Sequence, residues 1–248
     1  MPAPSRRPAL RTVGQRRTAA PEPAPAGRAR RSGGEPARRR RRGPTDIESE
    51  VLRLGGRRGA YLYRQLLAAA EAFARGRDRD ALRMLRPVRD ALPDAPSVRE
   101  LTGLVHYRLG NFNAASTELE SFVELTNSVE QHPVLMDCYR ARKRWRRVDE
   151  LWEELAAASP SAELVTEGRI VLAGSLADRG RLRDAIAQLD RKAGDVRNPR
   201  EHHLRLWYSL ADLEERAGNL ARARELFGRV RRHEPDFADV AERAAALR

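Results

Sequence analysis

The sequence is poor in the residues on which covalent and metal chemistry usually depends. Its 248 residues include one cysteine and five histidines. Because Cys138 is alone, the chain has no intramolecular disulfide and no CxxC pair, and we interpret this residue as a small buried apolar one. No apolar run approaches the roughly 18 residues that span a bilayer, and the amino terminus lacks an apolar signal segment. We therefore expect a cytoplasmic protein that makes no membrane contact.

Motifs for catalysis and cofactor binding are missing as well. The sequence has no GxxxxGK[ST] loop, no GxGxxG after a strand, no GxSxG elbow and no HExxH pair. The neighbouring His202 and His203 are expected to point away from each other on a helix. The sequence thus predicts a protein that is not an enzyme, with no cofactor, no metal and no small-molecule substrate.

Aromatic residues make up only 5% of the chain, whereas 41% of it is hydrophobic. This balance favours a helical core packed with alanine and leucine over a β-sandwich. From residue 46 onwards the apolar spacing is helical, and no stretch shows sustained alternation of strand type. We therefore predict an all-α protein.

Charge divides the chain into two parts. Residues 1–45 carry 13 arginines against two glutamates, and they contain eight of the fifteen prolines. The formal charge is +11 for this segment and +2 for residues 46–248. Because the segment has almost no large apolar residue to bury, we expect a disordered basic tail over 1–45.

The densest basic run of the tail can neutralise several phosphates of a nucleic acid, which would make binding strongly dependent on salt. No aromatic residue lies between the arginines to stack on bases. The alternative is a solubilising tail without a fixed partner. The candidate nucleic-acid-binding residues are Arg38, Arg39, Arg40, Arg41 and Arg42.

The body of the protein begins after Pro44. Thr45 and Glu48 have the spacing of a helix-capping box. We predict a short capping helix to about Leu54 that breaks at Gly55 and Gly56, with a linker up to residue 61.

Three columns of residues recur along the rest of the chain. The successive spacings of the first column are 34, 33, 37 and 38 residues. Prolines close three units, at 93, 160 and 235, and Pro199 is a candidate to close a fourth. The columns are a turn residue (Gly76, Gly110, Lys143, Gly180, Gly218), a small residue (Ala81, Ala115, Val148, Ala185, Ala223) and a large one (Leu85, Leu119, Trp152, Leu189, Phe227).

Each column has a physical role in a pair of helices. The glycine permits the left-handed cap that ends the first helix, and the small residue lets the second helix approach the first closely. The large residue fills the space between neighbouring pairs, and proline ends the second helix because it has no amide donor. The third unit departs most from the pattern.

The sequence resembles the tetratricopeptide repeat family. The fifth unit matches best, with Trp207, Leu210, Gly218, Ala223 and Phe227 in the family's spacing. The third and fourth units also resemble an uncharacterised group of actinobacterial members. The resemblance implies a right-handed α-solenoid of about five helix pairs over 62–236, closed by a C-terminal capping helix over 237–248.

The resemblance further implies a protein-binding scaffold or adaptor whose concave groove, lined by the first helix of each pair, holds a partner peptide. We expect the groove to be apolar at its N-terminal end and somewhat acidic at its C-terminal end, which suits an apolar peptide with a basic flank. The carboxylate clamp for chaperone tails is not expected, because the groove lacks its Lys and Asn residues. The candidate partner-binding residues are Tyr63, Leu66, Phe73, Leu104, Tyr107, Arg140, Ile170, Tyr208 and Asp212.

Three alternatives stay open from the sequence. Tyr63 and Phe73 could pack against the short helix of 46–54 instead of a partner. The protein could be an RNA- or ribosome-associated factor whose affinity comes from the arginine-rich tail. The tail could also occupy the protein's own groove until a partner competes.

Overall fold

The computed structural model describes residue 54 and residues 56–247. The predicted basic tail, the capping box and the short helix before Leu54 lie outside the described residues. The described part of the chain contains no strand, which confirms the all-α fold. Its eleven helices are α1 (Gly56–Ala74), α2 (Asp78–Ala91), α3 (Pro96–Arg108), α4 (Phe112–Thr126), α5 (His132–Ala141), α6 (Trp145–Ala158), α7 (Ala162–Asp178), α8 (Leu182–Asp190), α9 (Glu201–Arg216), α10 (Leu220–His233) and α11 (Val240–Ala246).

The helices form five consecutive pairs, α1 with α2 through α9 with α10, and each pair packs on the next. The last helix, α11, packs on α10 and closes the array. This is the α-solenoid with a C-terminal capping helix that the repeat predicts. Its first helix begins at Gly56, before the predicted start at residue 62, and α11 spans seven residues rather than the whole of 237–248.

All five turn positions adopt the left-handed backbone conformation. The four glycines have φ between 71° and 84°, and Lys143 has φ 58°. In each turn the amide after this position donates to the carbonyl five residues before it, as Arg77 does to Ala72 at 2.8 Å and Arg144 to Tyr139 at 2.9 Å. Lys143 therefore fulfils the role of the missing glycine, although its Cβ makes the left-handed conformation costly.

The small-residue column is fully buried, with 0% exposure at all five positions. The large-residue column is buried at four positions and only partly buried at Trp152. At that repeat Leu151 and Leu155 supply the buried apolar contacts instead. The third unit was expected to depart from the pattern at Lys143 and Val148, but it keeps the left-handed turn and the buried small residue there. It differs at Trp152, which is only partly buried.

Pro199 does not end the fourth pair. Helix α8 ends at Asp190, and Pro199 stands two residues before the start of α9. The segment that follows α8 packs against the core. Ala193 is buried, and its carbonyl accepts a hydrogen bond from Arg229 Nη1 at 3.1 Å. The prediction for this proline was wrong because tertiary packing ends the helix first.

The apolar core consists of two clusters. The smaller draws its residues from α1, α2 and α3 and the segment before α3, from Leu62 to Val105. The larger begins with Leu119 on α4 and continues to Leu247. Between them lies Glu118, whose carboxylate contacts Arg89 Nη1 at 2.8 Å and Arg99 Nη1 at 2.7 Å.

No helix of the described residues is long and apolar enough to cross a membrane.

Candidate functional site: the groove of the first helices

The first helices of the five pairs, α1, α3, α5, α7 and α9, lie side by side along one face of the array. We call this face the groove. All nine candidate partner-binding residues lie on these helices.

At its N-terminal end the groove is largely closed by the protein's own packing. Leu66 is 8% exposed and belongs to the smaller core cluster, and Tyr63 and Phe73 pack against the same cluster. The guanidinium of Arg108 lies 4.3 Å from the centre of the Phe73 ring and donates to the Phe73 carbonyl at 2.8 Å. Leu66 therefore offers little surface to a partner, whereas Tyr63 and Phe73 offer part of theirs.

The middle of the groove carries a partly exposed apolar side chain. Leu104 on α3 is half-buried and, within the described part of the chain, is part of neither core cluster nor of the residues packed against them. Glu100 lies one turn before it and Tyr107 one turn after it on the same face. Glu100 accepts a hydrogen bond at 2.7 Å from Gln131, the residue just before α5. Leu104 thus sits between two polar residues, as an anchor position for an apolar side chain would.

A network of polar side chains crosses the groove from α3 to α7. Tyr107 Oη donates to Asp137 Oδ2 at 2.8 Å, and Arg140 bridges Asp137 Oδ1 at 3.4 Å and Asp178 Oδ2 at 2.7 Å. Burial and the negative charge of Asp137 raise the pKa of Tyr107, so its hydroxyl stays a donor. Gly174 makes room for the guanidinium, because a Cβ there would lie 2.7 Å from Arg140 Cζ.

Toward the C-terminal end the groove is neutralised by the capping helix. Arg243 of α11 contacts Asp212 Oδ1 at 3.0 Å and Glu215 Oε2 at 2.5 Å, and Tyr208 donates to Asp239. Asp212 and Glu215 are therefore compensated rather than available to a basic partner, contrary to the expected acidic end. Ile170 packs against the larger core cluster and is half-buried.

The structure thus brings Tyr107 and Arg140 into one network through Asp137, and places Tyr208 and Asp212 against the cap. Sequence reasoning missed Gly174, Asp239 and Arg243. A glycine in the middle of the groove face of α7 was a signal for a close contact. The partnership of Arg243 had no sequence signal, because it depends on how α11 docks.

The described residues contain no group of His, Cys, Asp and Glu side chains that could hold a metal ion. His202 and His203 do not point away from each other, since their ring centres are 3.9 Å apart. His203 Nδ1 accepts from the backbone amide of Arg200 at 3.0 Å, and this contact at the start of α9 turns its ring toward its neighbour.

Comparison with known proteins agrees with this architecture. The tetratricopeptide repeat family model matches residues 204–247, which hold the fifth pair and the cap. No curated protein matches the sequence of this chain.

Solved structures match over most of the array. A thermophilic tetratricopeptide repeat protein of Thermus thermophilus is 19% identical, with a TM-score of 0.58 over 75% of this chain and 98% of the other. A tetratricopeptide repeat protein of Parabacteroides merdae is 14% identical, with a TM-score of 0.60 over 81% of this chain and 75% of the other. A putative kinesin light chain of Podosopora anserina is 18% identical, with a TM-score of 0.55 over 68% of this chain and 93% of the other.

These likenesses define the class of the protein as an α-solenoid of helix pairs. Within that class, residues 204–247 match the tetratricopeptide repeat family model, and the array shares its fold with solved tetratricopeptide repeat structures. Helical-repeat folds of this kind present extended concave surfaces and in general serve as scaffolds for protein–protein interaction.

Proposed function

We propose that this protein is a cytoplasmic, non-enzymatic adaptor that binds a peptide segment of a partner protein in the groove. The observation that carries the proposal is Leu104, an apolar side chain on the groove face that stays partly exposed between Glu100 and Tyr107. The polar groups around it, above all the network from Tyr107 to Arg140, are positioned to hydrogen-bond a peptide backbone or side chain. An apolar anchor with a polar rim is the usual anatomy of a recognition surface.

The groove residues divide by their availability. Leu104, Tyr107 and Arg140 form the centre of the proposed surface, and Tyr63, Phe73 and Ile170 extend it with their exposed parts. Leu66 contributes mainly through packing. Tyr208 and Asp212 contribute after the contacts with α11 that now engage them are exchanged.

The test is affinity capture of partners from native lysate by the full chain and by two leucine-to-aspartate variants. Leu104→Asp places a charge at the centre of the groove. Leu125→Asp makes the same change at an exposed leucine of α4 and is the matched control. A specific protein that is retained at high salt by the wild type and by Leu125→Asp, and lost with Leu104→Asp, supports the proposal. Equal retention by both variants overturns it.

The second candidate function, an RNA- or ribosome-associated factor, rests on the charge of +11 in residues 1–45. It predicts that a chain lacking these residues loses binding, and that nuclease or salt releases what the full chain retains. If the tail competes for the groove, its deletion strengthens capture of the protein partner instead. The same capture experiment with residues 46–248 separates these outcomes.

A further inference from the structure

A trough lies on the opposite side of the array, between the second helices of the third and fourth pairs. It has a volume of about 430 Å³. Helix α6 forms one wall with Trp152, helix α8 forms the other with Ala187 and Gln188, and Leu172 and Leu176 of α7 form an apolar floor. Both floor residues are buried beneath the surface.

One end of the trough is closed by paired charges. Arg179 donates to both oxygens of Asp149, at 2.8 and 2.7 Å. Arg181 pairs with Asp184 at 2.7 Å. Because each carboxylate already has its arginine, this end offers no free charge to a ligand.

The other end carries two arginines without carboxylate partners. Arg169 precedes Leu172 by one turn on α7, and Arg191 follows Gln188 by one turn at the end of α8. The Arg169 guanidinium lies 5.0 Å from the Trp152 ring centre and 3.5 Å from Gln188 Oε1. No carboxylate within residues 56–247 forms an ion pair with either arginine, and Glu153 on the rim is exposed to solvent.

This arrangement is costly for the protein on its own. Burial lowers the pKa of the Arg169 guanidinium, and the positive charge of Arg191 lowers it further. Three other half-buried arginines, Arg140, Arg179 and Arg243, each contact a carboxylate, whereas the half-buried Arg142 donates to Ser116 Oγ. An anion between Arg169 and Arg191 would offset the repulsion between their two positive charges.

We propose that the trough is a second binding site, one that takes a carboxylate carried on an apolar body. The carboxylate lies between Arg169 and Arg191, and the apolar part lies against the half-buried ring of Trp152, above the buried Leu172 and Leu176. Arginine suits this role because its planar guanidinium can donate two parallel hydrogen bonds to a carboxylate. The site is independent of the groove, since no residue is shared between them.

The test uses the full chain labelled with ¹⁵N, and follows the indole N–H signal of Trp152, assigned through Trp152→Phe. The probes are N-acetyl-L-leucine, which has a free carboxylate, its neutral amide N-acetyl-L-leucinamide, and inorganic phosphate at matched ionic strength. We expect N-acetyl-L-leucine to shift the Trp152 signal saturably and the amide to leave it in place. The buried Trp207 gives a second indole signal that should not move.

The decisive variant is Arg191→Gln, because Arg191 is exposed and its side chain forms no hydrogen bond or ion pair within the described residues. Its matched control is Lys192→Gln, which removes the same charge one position away and outside the trough. We expect Arg191→Gln to weaken the probe about three- to tenfold, the loss typical of one charged hydrogen bond, with little change for Lys192→Gln. Leu104→Asp should leave probe binding intact even if it abolishes partner capture.

Three results would overturn the site. The amide could bind as well as the acid, phosphate alone could bind as tightly as N-acetyl-L-leucine, or Arg191→Gln and Lys192→Gln could have equal effects. An unchanged Trp207 signal in each variant shows that the fold is intact and that the result concerns the trough.

Discussion

The two core clusters of the array are built from the same repeat but differ in size and in how they are completed. The smaller cluster has three helices, and its first helix leaves Tyr61 and Leu67 on the surface. The larger cluster draws on every helix from α4 to α11 and is closed by the cap. Each repeat buries its apolar face only against its neighbours, so a cluster with fewer neighbours is less stable.

The joint between the clusters is electrostatic as well as apolar. Glu118 is 5% exposed and receives one arginine from α2 and one from α3. Beside it Gly103 of α3 lies so close to α4 that an added Cβ would come within 2.7 Å of Leu119. The two clusters therefore meet within the second helix pair, where a packed glycine and a buried carboxylate lie close together.

The largest effect on stability is expected from replacing a large buried side chain by alanine in either core cluster. Phe227→Ala in the larger cluster should lower the free energy of unfolding by about 3–5 kcal/mol, because it leaves a cavity at a fully buried position. Leu85→Ala in the smaller cluster should cost about 2–5 kcal/mol but should loosen chiefly α1 to α3. Urea unfolding with hydrogen exchange of each helix measures both. Equal loss of protection across all helices in Leu85→Ala would show that the two clusters are one cooperative unit.

The next effect tests the joint. Glu118→Gln should lower the free energy of unfolding by about 1–3 kcal/mol, because Arg89 and Arg99 lose a shared buried acceptor. Hydrogen exchange should become faster in α1 to α3 than in the rest. Glu124→Gln removes an exposed carboxylate from the same helix and is the control. If the two variants behave alike, the joint does not depend on this carboxylate.

A pH effect is expected from Cys138, which is fully buried on α5. Burial raises the pKa of the Cys138 thiol to about 12, whereas an unfolded thiol has a pKa of about 8.5. The stability that depends on this group is complete below about pH 8.5 and is lost as the pH rises toward the folded pKa. At pH 9.5 the loss is about 1.4 kcal/mol. Denaturant unfolding between pH 8 and 10 should show that the free energy of unfolding falls more steeply with pH for the wild type than for Cys138→Ala. The same pH dependence in both proteins would refute the prediction.

The smallest effect concerns the turn that joins α5 and α6. Lys143→Gly should raise the free energy of unfolding by up to about 1 kcal/mol, because glycine adopts φ 58° without strain. Gly180→Ala is the reverse change at the same position of the next pair, where no atom lies within 4 Å of the added Cβ. It should destabilise by a similar amount. Thermal unfolding of the two variants measures both changes. If Lys143→Gly is less stable than the wild type, the lysine side chain makes a stabilising contact that glycine removes.

Much of the fold followed from residues with local roles. The turn glycines, the small-residue column and the prolines at 93, 160 and 235 predicted five helix pairs, and the structure has them. Ser161 caps the long helix α7 locally, since its hydroxyl accepts from the amide of Leu164 at 3.1 Å. Pro199 and the histidine pair were predicted wrongly, because their surroundings come from distant parts of the chain.

The groove shows the same division. That Tyr107, Arg140, Tyr208 and Asp212 share one face is a consequence of helical spacing within each repeat. That Tyr107 bonds to Asp137, and that Arg243 neutralises Asp212, depends on contacts between residues about 30 positions apart. The availability of Leu104 and the burial of Leu66 likewise depend on how neighbouring pairs pack.

The sequence by itself determined the helical class, the number of pairs and the closing helix, because each repeat has the same residue types at its turn, small and large positions. Only the tertiary structure decided which groove carboxylates are compensated, where the two core clusters meet, and that two arginines stand unpaired beside Trp152. Those properties arise where side chains from different repeats meet, and periodicity within one repeat carries no information about such pairings.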